Sequence, residues 1–124
     1  MFDMYRENIL DHFKNPRNFG NLENADATQK EVNTLCGDEV EVQIKVNGDA
    51  INDIRFNGRG CAISQAAASI LTEFVKGKNF DEIKRLERND ILEMLGIEIS
   101  PVRLKCALLA LYALKNALRK VENA

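Results

Sequence analysis

The chain has 124 residues, 45% hydrophobic and 29% charged, with a formal net charge of −2. Acidic and basic residues are interspersed and leave no basic face, which argues against nucleic-acid binding. The longest apolar run is broken by Lys115 and Arg119 and is too short to span a bilayer, so no membrane association is expected.

The length suits one domain with a real core, taken as residues 1–124. Three cysteines cannot all pair within the chain, and the first residues lack the zones of a signal peptide. A reducing, cytoplasmic setting with free or metal-bound thiols is therefore expected.

Asp3 to Lys14 is predicted as a helix, with Tyr5, Ile9, Leu10 and Phe13 on one stripe. Asn15-Pro16 ends it, because a residue before proline is pushed out of the helical region. His12 stands beside Asp11 and Lys14 and reads as an exposed or partly packed residue, not a ligand. Residues 23–34 are polar and read as loop, with an edge strand around Lys30 to Thr34. Glu39 to Val46 alternates, with Val40, Val42, Ile44 and Val46 on one side, as a half-buried antiparallel strand does. Asn47-Gly48-Asp49 is a hairpin turn, and Ile51 to Asn57 is the returning strand. Ile51 is out of phase with Ile54 and Phe56, which predicts a bulge or a late start of the strand.

A helix is predicted from about Ser64 to Lys76, with Ile63, Ala66, Ala67, Ile70, Leu71, Phe74 and Val75 on its apolar face and Gly77 after its end. Asn79 with Glu82 resembles a capping box for a short helix. Asn89 is read as the cap of another, ended by Gly96. Ser100-Pro101 opens the last helix, which runs to about Val121 and is apolar on nearly every side from Leu104 to Leu114. The fold class expected is α+β, a small antiparallel sheet of about three strands packed against several helices.

Chemistry concentrates around Gly58-Arg59-Gly60-Cys61-Ala62-Ile63-Ser64, where a strand pattern gives way to a helical one. A helix start and the Arg59 guanidinium both favour a thiolate at Cys61. Cys36 precedes one strand of the hairpin and Cys61 follows the other, so both lie at the sheet end away from the Asn47-Gly48 turn. Cys106, near the start of the last helix, can pack across that end. No Cys-x-x-Cys pair exists, so a zinc finger by spacing is excluded. Cys36, Asp38, Cys61 and Cys106 are the candidate ligands. Three thiolates and a carboxylate suit one tetrahedral zinc, or equally a [2Fe–2S] core with two protein ligands per iron. Arg59, Arg103 and Lys105 are candidates to offset the remaining negative charge. Read singly, Cys106 is a small apolar core residue and Asp38 a turn residue.

Three motifs and the opening helix carry a family resemblance. Tyr5 to Gly20 is similar to the opening helix and Asn-Pro-Arg-Asn turn of the IscU-type (NifU N-terminal-like) iron–sulfur cluster assembly scaffolds. Cys36-Gly37-Asp38, Gly60-Cys61-Ala62-Ile63-Ser64 and Pro101-Val102-Arg103-Leu104-Lys105-Cys106 resemble the family's three ligand motifs, in order. The resemblance implies an IscU/NifU-like fold (SufE/NifU type) and a carrier, not an enzyme, on which a [2Fe–2S] cluster is assembled and passed to acceptor apoproteins. Sulfur would come as persulfide from a cysteine desulfurase, with Cys106 the candidate acceptor. It also implies that Asp38 keeps the cluster labile and that Tyr5 takes part in a homodimer or cluster-bridged oligomer. Lys105 stands where IscU proteins carry histidine, as in the SufU branch, whose members bind zinc and accept sulfur. A zinc-binding sulfurtransferase is thus the alternative. The family's chaperone segment Leu-Pro-Pro-Val-Lys reads here Ile99-Ser100-Pro101-Val102-Arg103, which speaks against a dedicated Hsp70-type partner.

Overall fold

The computed structural model describes residues 4–123. The predicted helix start at Asp3 lies outside the described residues. Three strands and five helices follow in the order α1 (Met4–Lys14), β1 (Ala27–Asn33), β2 (Asp38–Asn47), β3 (Ala50–Arg59), α2 (Ala62–Val75), α3 (Phe80–Lys84), α4 (Arg88–Leu95) and α5 (Pro101–Glu122). The strands form one antiparallel sheet in the order β1-β2-β3. Helices α2 and α5 pack on one face of it, and α1 packs on α2. The expected α+β class stands.

Alternation fixes the register. Asp38, Val40, Val42 and Ile44 share the core face of β2, and all four are buried. The register shifts between Lys45 and Val46, so that Val46 faces Ile51 while Lys45 faces Asp53. This is the expected bulge. It brings Ile51, Ile54 and Phe56 into the core together. Their phase matters, because a one-residue slip would turn every inward side chain to solvent.

Several expectations need correction. The first strand runs over Ala27–Asn33, earlier and longer than the edge strand read around Lys30 to Thr34. Polar Gln29, Lys30 and Glu31 conceal its period, yet pairing with β2 overrides their weak strand propensity. Helix α4 is capped by Glu87, not Asn89, through a reciprocal box with Asp90. Asn79 does cap α3, its side chain accepting the Glu82 N–H at 2.9 Å. Ser100 occupies the N-cap of α5 without a side-chain bond. Tyr5, Leu10, Phe13 and Phe74 are exposed, so the apolar stripes of α1 and α2 are narrower than their sequences suggest. Gln43, on the face of β2 opposite Val42 and Ile44, is buried by the segment before β1; its amide accepts the Leu22 N–H and donates to Asn21.

His12 is the largest departure. It is only 5% exposed, with Nδ1 at 2.7 Å from Ser69 Oγ on α2 and Nε2 at 3.8 Å from a Glu73 carboxylate oxygen. Ser69 Oγ also accepts the Arg17 N–H at 2.8 Å, so this cluster fastens α1 and the turn after it to α2. Burial pushes the His12 pKa below its ordinary 6.5, Arg17 adds to this, and Glu73 and Asp11 oppose it. The unfolded chain therefore takes up the proton first as pH falls. Folding stability should be full above about pH 6.5 and decline below it as pH passes through the lowered value. Urea unfolding at a series of pH values should show this decline in the native sequence and a shallower one in His12→Gln; equal slopes would contradict it.

Candidate metal centre

Strand parity, a turn and a helix face build the centre. Asn33 ends β1 and pairs with Asp38 at the start of β2, both on the core side of the sheet. Between them the chain reverses through residues 34–37, where the Gly37 N–H bonds to the Asn33 carbonyl at 2.8 Å. Cys36 sits in that turn and is exposed. Cys106 lies on the stripe of α5 that faces the core and is 3% exposed. The two sulfurs stand 3.2 Å apart. Candidate ligand atoms of Cys36, Asp38 and Cys106 all lie within 4.8 Å of one another.

Cys61 approaches from the other strand. It is the N-cap residue of α2, partly exposed, and its backbone N–H bonds to Asp38 Oδ1 at 3.3 Å. The Ser64 hydroxyl returns to the Cys61 carbonyl at 3.0 Å and accepts from Gln65. The Cys61 side chain is outside the close group of three, although it neighbours the Asp38 carboxylate. Gly60 makes the approach possible. A Cβ there would fall 2.6 Å from Asp38 Cγ, and its φ of 148° is one that other residues rarely adopt.

The electrostatics are unfavourable to charge. Burial pushes the Cys106 thiol far above its ordinary pKa, the Asp38 carboxylate and Cys36 push it further, and only Asn33 opposes them. Burial likewise raises the Asp38 pKa, but the thiols of Cys106 and Cys61, the Cys61 N–H and the Ser64 hydroxyl outweigh it and hold the carboxyl below its ordinary value. Among the described residues no donor closes a well-formed hydrogen bond on Asp38 Oδ2, which is buried. These groups fit a cation. Two sulfurs and an oxygen are the ligand types of zinc or iron, and a positive ion reverses the penalty on each charge. Tetrahedral zinc with sulfur at about 2.3 Å separates its ligand atoms by about 3.8 Å, so the sulfur pair need open by only roughly half an ångström.

Of the supporting residues, Arg59 does not face the sulfurs. Its side chain is 83% exposed and pairs with Glu39 at 2.7 Å, with Lys30 on the same carboxylate at 3.4 Å. Lys105 is exposed, has no ion pair among the described residues, and lines a surface groove with Val32, Leu35, Leu104 and Tyr112. Arg103 borders a separate groove with Arg6, Leu10 and Ile63. Tyr5 lies with its ring against Gly96 at the end of α4. Asn33 was missed by sequence reading. Its Nδ2 donates to Cys106 Sγ at 3.4 Å, and its only signal is a polar residue where β1 should turn inward.

Residues 4–123 match the model of the NifU-like N terminal domain. The chain belongs to that family. Similar proteins include the iron–sulfur cluster assembly scaffold protein IscU of Escherichia coli K12, 41% identical over 96% of this chain and 94% of that one. They also include the zinc-dependent sulfurtransferase SufU of Bacillus subtilis, 34% identical over 97% of this chain and 92% of that one. The N-terminal structure of a NifU-like protein from Brucella abortus superposes with a TM-score of 0.82 over 97% of this chain and 95% of that one, at 23% identity, and shares the fold. Within this NifU-like domain no helix of the described residues is long and apolar enough to cross a membrane.

Gly60→Ala is expected to destabilise the domain by about 1–3 kcal/mol, the usual range for a strained backbone. Denaturant unfolding measures this. The steric share should be smaller in an Asp38→Ala background, and native-like stability in the single variant would contradict the packing described.

Proposed function

We propose that this chain is a scaffold that receives a [2Fe–2S] cluster as cargo during its assembly and hands it to acceptor apoproteins. Cys36, Asp38, Cys61 and Cys106 are its ligands. The observation that carries the reading is the buried, unpartnered Asp38 oxygen beside two sulfurs 3.2 Å apart, drawn from a turn, a strand and a helix. Likeness to the IscU scaffold over nearly the whole of both chains supports it. The soft thiolates hold iron firmly, whereas the harder carboxylate oxygen holds it less well and eases release. Sulfur is delivered by a cysteine desulfurase in the cytoplasm, and residues 1–124 act as one carrier domain without turnover of their own. Exposed Lys105 steadies negative charge at the rim.

A second reading is a zinc-bound sulfurtransferase. It is favoured by Lys105 in place of histidine and by likeness to SufU. Zinc would be resident, held by the same four side chains, and would keep thiolates ionised near neutral pH.

Anaerobic reconstitution with iron, cysteine, a desulfurase and dithiothreitol, the thiol that reduces the delivered persulfide sulfur to sulfide, should give a coloured protein that transfers its cluster to an apoferredoxin. Cys106→Ser should lose the colour, and Asp38→Ala should keep it while releasing the cluster several-fold more slowly. Absence of iron uptake by the native sequence would sink the scaffold reading. Stoichiometric zinc in anaerobically purified protein, with desulfurase stimulation and no cluster transfer, would establish the second.

A further inference from the structure

We propose that Asn33 is a positioning residue that locks the Cys106 sulfur and the Cys36 turn into one arrangement. Its side chain is nearly buried, with 7% of the residue exposed. Both ends of its amide are committed. Nδ2 donates to Cys106 Sγ at 3.4 Å, and Oδ1 accepts the Leu35 N–H at 3.2 Å. Its backbone carbonyl accepts the Gly37 N–H at 2.8 Å, and its register partner is Asp38. One residue therefore touches the turn that carries Cys36 on both sides, the sulfur on α5, and the strand position of the carboxylate.

Each bond has a separate effect. The two bonds to the turn fix where Cys36 stands. The amide N–H aims a positive dipole end at the Cys106 sulfur, which favours the sulfur in its more negative form and persists when that sulfur also binds a metal. Hydrogen bonds to ligand sulfurs change the electronic character of a thiolate centre. An apolar residue here keeps β1 and the backbone bond to Gly37 but loses the bond to Leu35 and the dipole on the sulfur. The effect on a bound metal rests on the proposed four-ligand centre; the placement of the sulfurs does not.

Two readouts test this on the full chain. In the first, Co2+ is added anaerobically, and the sulfur-to-cobalt charge-transfer band and chelator competition are measured. Asn33→Leu, which removes both bonds, and Asn33→Ser, which can still accept from Leu35 N–H but falls short of Cys106, should both shift the band to lower energy and weaken retention about tenfold. In the second, metal-free Cys61→Ser protein is equilibrated with oxidised and reduced glutathione. Cys36 and Cys106 give up two hydrogens to one glutathione disulfide, forming their own S–S bond and releasing two glutathione thiols. Asn33→Ser, which keeps the turn bond and loses the dipole on the reduced sulfur, should raise that equilibrium constant about tenfold, the equivalent of one hydrogen bond, and Asn33→Leu, which also frees the turn, should fall below Asn33→Ser. A native-sequence protein that takes up no cobalt defeats the metal-centre reading, and the glutathione equilibrium then decides on Asn33 alone. An equilibrium constant in Asn33→Ser no higher than in the native sequence overturns the proposal.

Discussion

The contact on which the centre depends is the Cys61 N–H against Asp38 Oδ1. It ties the start of β2 to the exit of β3, at the sheet end away from the hairpin turn. Two features of the chain make it possible. Alternation that buries Val40, Val42 and Ile44 also turns Asp38 inward, so a carboxylate enters the core as the price of an apolar strand face. Gly60, lacking a Cβ, then leaves the room that the carboxylate fills. The bulge near the hairpin turn keeps the rest of β3 in phase, so that the strand delivers Gly60 and Cys61 beside Asp38 with its own apolar residues still in the core.

Placing those groups together creates a conflict that the protein alone leaves standing. A buried carboxylate normally has every oxygen paired, since an unpaired buried polar group is costly. Here one oxygen is not, and the adjacent thiol is driven toward its neutral form. The nearby cations do not resolve this: Arg59 is engaged by Glu39 on the outer face, and Lys105 is exposed. Among the described residues no ion pair reaches Asp38. Local inconsistency of this kind concentrates at functional sites, where a ligand completes what folding leaves unfinished. The same logic explains why the centre draws on a turn, a strand end and a helix: none of them alone buries enough charge to be unstable.

Much of this was legible in the chain. The β2–β3 hairpin followed from clean alternation and an Asn-Gly turn, and the phase error at Ile51 announced the bulge. Hairpin geometry and a buried last helix pointed to Cys36, Cys61 and Cys106 at one end of the sheet; the structure groups Cys36 and Cys106 with Asp38 and leaves the Cys61 side chain outside that close group. What was hidden had a common cause. β1 alternates only weakly because its core-facing positions include Gln29, Glu31 and Asn33, so its period is carried by pairing, not composition. Asn33 was concealed with it. His12 looked solvated because its sequence neighbours are charged; the partner that buries it, Ser69, is distant in the chain and belongs to a helix whose small residues admit close approach. Arg59 was assigned to Cys61 by adjacency, yet cross-strand position gave it Glu39 instead.

The candidate ligands differ in how readily they can be reached, and that asymmetry bears on release. Cys106 opens the buried run of α5, and shifting it would disturb Ala107, Leu109 and Ala110 beside it. Asp38 is held by strand pairing and the Cys61 N–H. Cys36 stands in a turn at the surface and Cys61 at a partly exposed helix cap, so a partner reaches both sulfurs without opening the core. A metal core bound by all four would therefore have two attachments on the buried side and two within reach of solvent. Exchange to another protein proceeds most easily through the attachments it reaches first, so the acceptor's thiols would displace Cys36 and Cys61 while Cys106 and Asp38 still hold. The weaker hold of the hard carboxylate oxygen then eases the last stage of release.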